Sequence, residues 1–170
     1  MININNSDDI SYRYQMPKVS IKHSGNGNGK YTVINNMDDI SNAINSPSEI
    51  VFKFISFSCG SAYNDKEKAI NGHHTNIQNI IFDYINNFVI CPTCNIPELN
   101  YYLEKISSKK YNLVCKCSAC GTINITRNKN KINEKCIDTI IKYLIKENNW
   151  INTNGTMVQQ SNDTMVQQSI

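Results

Sequence analysis

Four cysteines constrain this chain more than any other residues. Cys91-Pro92-Thr93-Cys94 is followed, after 22 residues, by Cys117-Ser118-Ala119-Cys120-Gly121. Two Cys-x-x-Cys knuckles bring four thiolates to where one tetrahedral ion can collect them, and the soft sulfur set favours zinc. The loop between the knuckles is a little longer than in most zinc ribbons, which a hairpin accommodates. Pro92 and Gly121 suit the tight turns that knuckles need. A pair of disulfides is the competing reading, and it requires an oxidising compartment. The N-terminus, MININNSDD, lacks the basic and apolar regions of a secretory signal, and three further cysteines would remain over. The segment therefore reads as a structural zinc ribbon, with Cys91, Cys94, Cys117 and Cys120 as ligands.

At 170 residues the chain suits one compact domain with a small satellite module. Its hydrophobic content of 40% is enough for a core, and no apolar run approaches the ~20 residues of a membrane span. A monomeric cytoplasmic protein with reduced cysteines and no membrane partner is expected. Charge is uneven: residues 1–98 carry seven Lys/Arg against nine Asp/Glu, whereas residues 99–170 carry ten against five. The basic half contains the ribbon. That asymmetry points to nucleic acid or an acidic partner, with a solvated helix face accounting for half of the excess.

Residues 1–17 read as a flexible polar tail in which Tyr12 and Tyr14 flank Arg13 and Pro17 ends the segment. The tyrosines can dock on a surface and present Arg13, or the terminus is simply disordered. An α/β domain is expected over residues 18–90. Residues 18–23 and 31–35 predict two strands joined by the turn Gly25-Asn26-Gly27-Asn28-Gly29. A phosphate-binding loop is excluded there, since no Gly-Lys-Ser/Thr follows and the next element is β. Asn35 or Asn36 caps a short helix buried through Met37, Ile40, Ala43 and Ile44, and Pro47 stops it. Residues 50–57, IVFKFISF, predict a strand in which Lys53 interrupts one apolar face and reaches water at an edge. A turn at residues 65–68 leads into a short edge strand at Ala69-Ile70.

Thr75 or Asn76 caps a helix whose apolar face is Ile77, Ile80, Ile81, Tyr84, Ile85 and Phe88. It runs directly into Cys91. His74 is assigned a capping or packing role, because four cysteines already complete a zinc shell. Within the ribbon, residues 91–127, strands are predicted at 99–103, 111–115 and 123–126, with Cys115 a small buried residue. Residues 128–150 hold a C-terminal helix striped by Cys136, Ile137, Ile140, Ile141, Leu144 and Ile145. TMVQQS at 156–161 recurs at 164–169, within a tail over residues 151–170 expected to be disordered. The fold class is α+β: a small mixed α/β domain, then the four-cysteine ribbon and a C-terminal helix packed on either module.

Several of these motifs, taken in order, resemble the N-terminal domain of eukaryotic translation initiation factor 5, shared in part with the beta subunit of initiation factor 2. They are Tyr12-Arg13-Tyr14-x-Met16-Pro17, Gly27-Asn28-Gly29, Asn45-x-Pro47, Asn71-Gly72-x-His74, Asn87-Phe88-Val89-x-Cys91 and Cys117-x-x-Cys120-Gly121. The resemblance covers about residues 10–147, and the Tyr-Arg-Tyr-x-Met-Pro motif is similar to factor 5 rather than to the beta subunit. It implies a translation initiation factor that is not itself a GTPase. Such a factor activates, in trans, the gamma-subunit GTPase of translation initiation factor 2, carrying GTP and initiator tRNA on the small ribosomal subunit. The family's critical arginine falls on Arg13, which suits an arginine finger, and one family lysine falls on Lys53.

The chain departs from the family in two respects. A second family lysine belongs where Tyr31 stands, and Lys30 is its neighbouring substitute, although adjacent strand positions face opposite ways. The family's C-terminal helical-repeat domain is not expected in this chain. A non-catalytic binder of the small subunit or initiation complex, competing with factor 5 or the beta subunit, is the alternative function. A generic zinc-ribbon nucleic-acid module is a third.

Overall fold

Backbone pairing begins in the first residues. The computed structural model describes residues 1–64, 66–107, 110–123, 129–147 and 150–151. Strand β1 (Ile2–Asn3) pairs antiparallel with β2 (Gln15–Met16), and the Ile4 and Met16 side chains are fully buried. The turn between them is knotted by Asn3, whose amide donates to the Ser7 and Asp9 carbonyls at 2.8 and 2.7 Å. The expected flexible tail is thus an anchored hairpin. Burial of Ile4 and Met16, packing of Tyr12 and Tyr14 on the core and the hydrogen bonds of Asn3 act together against the entropy of ordering this segment.

Strands β3 (Ile21–Ser24), β4 (Tyr31–Ile34), β5 (Tyr63–Asn64) and β6 (Ala69–Asn71) form an antiparallel sheet in the order β3-β4-β6-β5. The glycine turn becomes one short 3-10 turn at Gly27–Gly29. Gly25 has φ +80°, and a Cβ there would meet the Gly29 carbonyl oxygen, so only glycine fits. Residues 69–70 were expected at the sheet edge, but β5 lies outside them.

Helix α1 (Met37–Ala43) follows β4, and α2 (Ser48–Cys59) follows Pro47. The run IVFKFISF is therefore helical, not the strand its β-branched and aromatic residues predict. Its boundaries carry the explanation. Pro47 has no backbone N–H to donate and stands where the first helical turn needs none, and Gly60 closes the helix with φ +61°. Ile50, Val51, Phe52, Phe54 and Ile55 are all buried, because neighbours cover α2 on more than one side. A run buried on several sides shows neither a period of 2 nor a clean period of 3.6.

Helix α3 (Ile77–Phe88) lies against α2, with the Phe54 ring edge-on to Tyr84 and Phe88 at 5.3 and 5.8 Å. The ribbon follows as a hairpin of β7 (Leu99–Ser107) and β8 (Lys110–Cys117). Beyond it Ile123 bridges back to Lys116, and the rest of the expected third strand lies outside the described residues. Helix α4 (Lys131–Lys146) starts with Asn130 Oδ1 accepting the Asn133 N–H at 2.7 Å. It stops short of residue 150, where β9 (Trp150–Ile151) pairs parallel with β7. The TMVQQS repeats lie outside the described residues.

Helix α4 packs on α2, β7 and β8 together, so it joins both parts rather than choosing one. Cys136, Ile140 and Leu144 share one core with Phe54, Phe88 and Leu103. Among the described residues no helix is long and apolar enough to cross a membrane. Because Phe54 is buried in that shared core against Tyr84 and Phe88, Phe54→Ala is expected to cost about 3–5 kcal/mol. Urea unfolding followed by circular dichroism measures this, and the loss should appear in both the helical and ribbon signals.

Candidate functional site

The two knuckles are built by different local devices that converge on one point. In the first, the Cys91 N–H donates to the Ile96 carbonyl at 2.9 Å and Asn95, at φ 58°, turns the chain. In the second, Cys117 ends β8 opposite Leu99, and Gly121, at φ 75°, returns its N–H to the Cys117 carbonyl at 3.0 Å. The four sulfurs lie within 4.8 Å of one another, with Cys91–Cys120 at 3.8 Å and Cys94–Cys117 at 3.7 Å. A tetrahedron of sulfurs about 2.3 Å from a zinc ion has edges of about 3.8 Å. The four sequence-predicted ligands therefore converge at a separation that fits one zinc ion. All four positions are protein thiols, so a metal held here would be closed to substrate and would act on structure.

The thiols are electrostatically unequal. Thr122 Oγ1 lies 3.1 Å from Cys120 Sγ, and hydrogen bonds from the Thr122 hydroxyl and backbone hold the Cys120 thiol down to about 6. At Cys94 the Ile96 backbone bond lowers the thiol. Desolvation and the three neighbouring sulfurs outweigh it and push it up to about 12. The metal-free set thus keeps protons that binding must expel.

Arg13 is exposed on the hairpin, with its guanidinium carbon 5.2 Å from the centre of the Tyr14 ring. The Tyr12 and Tyr14 rings sit 5.8 Å apart and pack on the core. The Tyr14 hydroxyl donates to Glu98 Oε1 at 3.0 Å, and that bond pushes the phenol above its usual range. Lys53 is half-buried on α2 with its ammonium 5.9 Å from the Tyr63 ring. It lines a groove of about 540 Å³ between α2 and α4, together with Lys135, Lys142 and Lys146. Lys30 is exposed at the end of the glycine turn, where its carbonyl accepts the Gly72 N–H at 2.7 Å. Arg13, Lys30 and Lys53 occupy three separate places, and among the described residues no hydrogen bond or ring contact joins them.

His74 packs as expected: its N–H donates to Thr32 Oγ1 at 2.9 Å, and its ring nitrogen lies 2.7 Å from the Asn71 carbonyl. Asn36 and Asn76 stand at helix starts without capping through their side chains. Asn36 instead spans to the chain before β3, accepting from Ser20 and donating to the Lys18 carbonyl. Sequence reasoning missed the Tyr14–Glu98 pair and the lysines of α4. The pair carries no local signal at all. The lysines at 135, 142 and 146 share a helical face at i, i+7 and i+11, a spacing that the helical period of α4 makes legible.

Zinc affinity is expected to fall as pH falls, because protons compete for all four sulfurs. A chelator titration across the thiol range checks this, with zinc lost more readily at each step down in pH. Chelation or any Cys→Ser change should unfold the two knuckles and the β7–β8 hairpin while the far-ultraviolet signal of α2 and α3 survives.

The family model for a domain found in initiation factors 2B and 5 matches residues 4–123. Over 119 residues the chain is 38% identical to eukaryotic translation initiation factor 5 of Saccharomyces cerevisiae, covering 66% of this chain and 28% of that protein. Against the Drosophila melanogaster factor 5 it is 32% identical over 139 residues, 78% of this chain and 29% of the relative. Against the Mus musculus factor 5 it is 35% identical over 127 residues, 71% and 29%. The chain thus spans less than a third of the length of these relatives. The matched span reaches from Ile4 in the hairpin to Ile123 beyond the second knuckle, and on that extent the chain belongs to the domain family of initiation factors 2B and 5 and is an initiation factor 5-like protein.

Proposed function

We propose that this chain stimulates GTP hydrolysis by translation initiation factor 2 within the pre-initiation complex, at start-codon recognition, with Arg13 as an arginine finger. The observation that carries the reading is the exposed Arg13 at the centre of Tyr12-Arg13-Tyr14-x-Met16-Pro17, on a hairpin whose ends are anchored by Ile4 and Met16. A finger has to protrude and yet arrive in one geometry, and an anchored hairpin meets both needs. The guanidinium is permanently charged and forked, so it neutralises charge as it spreads over the transferring phosphoryl oxygens. The hydrolysing water, GTP and magnesium belong to the partner's gamma subunit, so this chain is an activator rather than an enzyme.

Lys53 provides a second cation, held at a groove that α4 makes basic, and Lys30 a third at the glycine turn. A structural zinc ion in the ribbon supplies no group to the reaction. It holds a basic module that docks on the initiation complex and small ribosomal subunit in the cytoplasm. A second reading is favoured by one position. Tyr31 stands where the family places a lysine, half-buried in β4 between Ser24 and Asn71. Loss of that cation suits a binder that occupies the complex without accelerating hydrolysis.

Single-turnover GTP hydrolysis on an assembled initiation complex separates the readings. Arg13→Ala and Arg13→Lys are expected to lower the stimulated rate by about three to five orders of magnitude, with zinc content and binding retained. Full stimulation by Arg13→Ala would remove the finger assignment. Wild-type binding with no change in rate would select the non-catalytic binder.

A further inference from the structure

Arg13 and the ribbon are joined through a side-chain bond spanning 84 residues of sequence, from the Tyr14 hydroxyl to Glu98 Oε1 at 3.0 Å. The acceptor is held from both knuckles. The Glu98 N–H donates to the Ile96 carbonyl at 2.9 Å, and that carbonyl also receives the Cys91 N–H at 2.9 Å. The Glu98 carbonyl accepts the Ser118 N–H, one residue beyond Cys117, at 2.9 Å, and the Asn100 amide at 3.3 Å. On the donor side, the hairpin fixes the backbone of residue 14, through the Ile4 N–H donating to the Tyr14 carbonyl at 3.1 Å. The Tyr14 ring, on which the Arg13 guanidinium rests, is pinned at its far end by Glu98.

We propose that Tyr14 and Glu98 form a latch that sets the position of Arg13 by tying its aromatic platform to the two knuckles, so that Glu98 is a positioning residue for Arg13. The proposal rests on the reading of Arg13 as the group presented to the GTPase. Its physical content is that a hydrogen bond to a fixed acceptor oxygen restrains the ring, and the ring restrains the guanidinium. Glu98 is bonded on both sides, to Ile96 beside the first knuckle and to Ser118 beside the second, so the latch is anchored where the two knuckles meet. The ribbon then governs Arg13 without touching it.

Four variants test this: Tyr14→Phe, which keeps the platform and removes the pin, Glu98→Ala, Glu98→Gln, which keeps an acceptor oxygen, and the Tyr14→Phe/Glu98→Ala double variant. Zinc stoichiometry and far-ultraviolet circular dichroism should match wild type in all of them. Tyr14→Phe and Glu98→Ala are expected to speed amide hydrogen exchange at residues 11–14 and to lower the maximal stimulated rate by about tenfold. The half-saturating concentration should stay within about twofold, as expected when positioning rather than docking is lost. Glu98→Gln should restore the wild-type rate, and the double variant should be no worse than either single change. Unchanged exchange at residues 11–14 in both single variants overturns the latch. So does an unchanged maximal rate where Arg13→Ala abolishes stimulation. Full stimulation by Arg13→Ala overturns the finger reading instead, and the latch is then decided by hydrogen exchange alone.

Discussion

Burial of α2 is the constraint from which the rest of the architecture follows. Ile50, Val51, Phe52, Phe54 and Ile55 cannot all be covered by a four-stranded sheet of short strands. Helix α3 supplies Tyr84 and Phe88 against Phe54, and α4 covers a further side with Cys136, Ile140 and Leu144. Since α4 also rests on β7 and β8, the same burial that stabilises α2 ties the ribbon to the body. The amide of Asn133, donating to Asn87 Oδ1 at 3.0 Å, links the start of α4 to the end of α3.

The four-cysteine cluster depends on that frame, although its chemistry is local. The knuckle turns come from Asn95 and Gly121, while the meeting of the two pairs is set by the β7–β8 register that places Cys117 opposite Leu99. A one-residue slip would turn Cys117 to the other face and break the set. Cys115, two residues earlier on the same face, is buried beside Cys91 and Leu99 and thickens the small core beneath the sulfurs. Metal and packing therefore stabilise the same geometry.

Arg13 draws together the two halves of the functional reading. Its charge and exposure are properties of one residue in a short polar segment, yet its placement needs Ile4 and Met16 in the body and Glu98 in the ribbon. Lys53 is similar. On a strand it would be an edge lysine, and on α2 it becomes part of one wall of a groove whose other wall is α4, where four lysines outnumber Glu49 and Asp138. The charge asymmetry along the sequence has a structural counterpart here, because Lys135, Lys142 and Lys146 face a lysine from the acidic half.

How much of this was legible follows from the range of each signal. The knuckles, the amphipathic faces of α3 and α4, the glycine turn and the family motifs around Arg13 are local patterns, and short-range chemistry determines them: thiol spacing, the helical period, the φ > 0 that Gly25 must adopt. The helical state of IVFKFISF was not legible, because a run covered on several sides loses its period and its neighbours choose the conformation. The anchoring of the first residues was hidden for a related reason, since Ile4 and Met16 are single apolar residues whose burial needs a core built from later chain. Tertiary structure alone decided that Tyr14 meets Glu98 across 84 residues and that α4 closes over both parts. A contact of that separation is formed by packing and leaves no period, spacing or composition by which residues so far apart could announce one another.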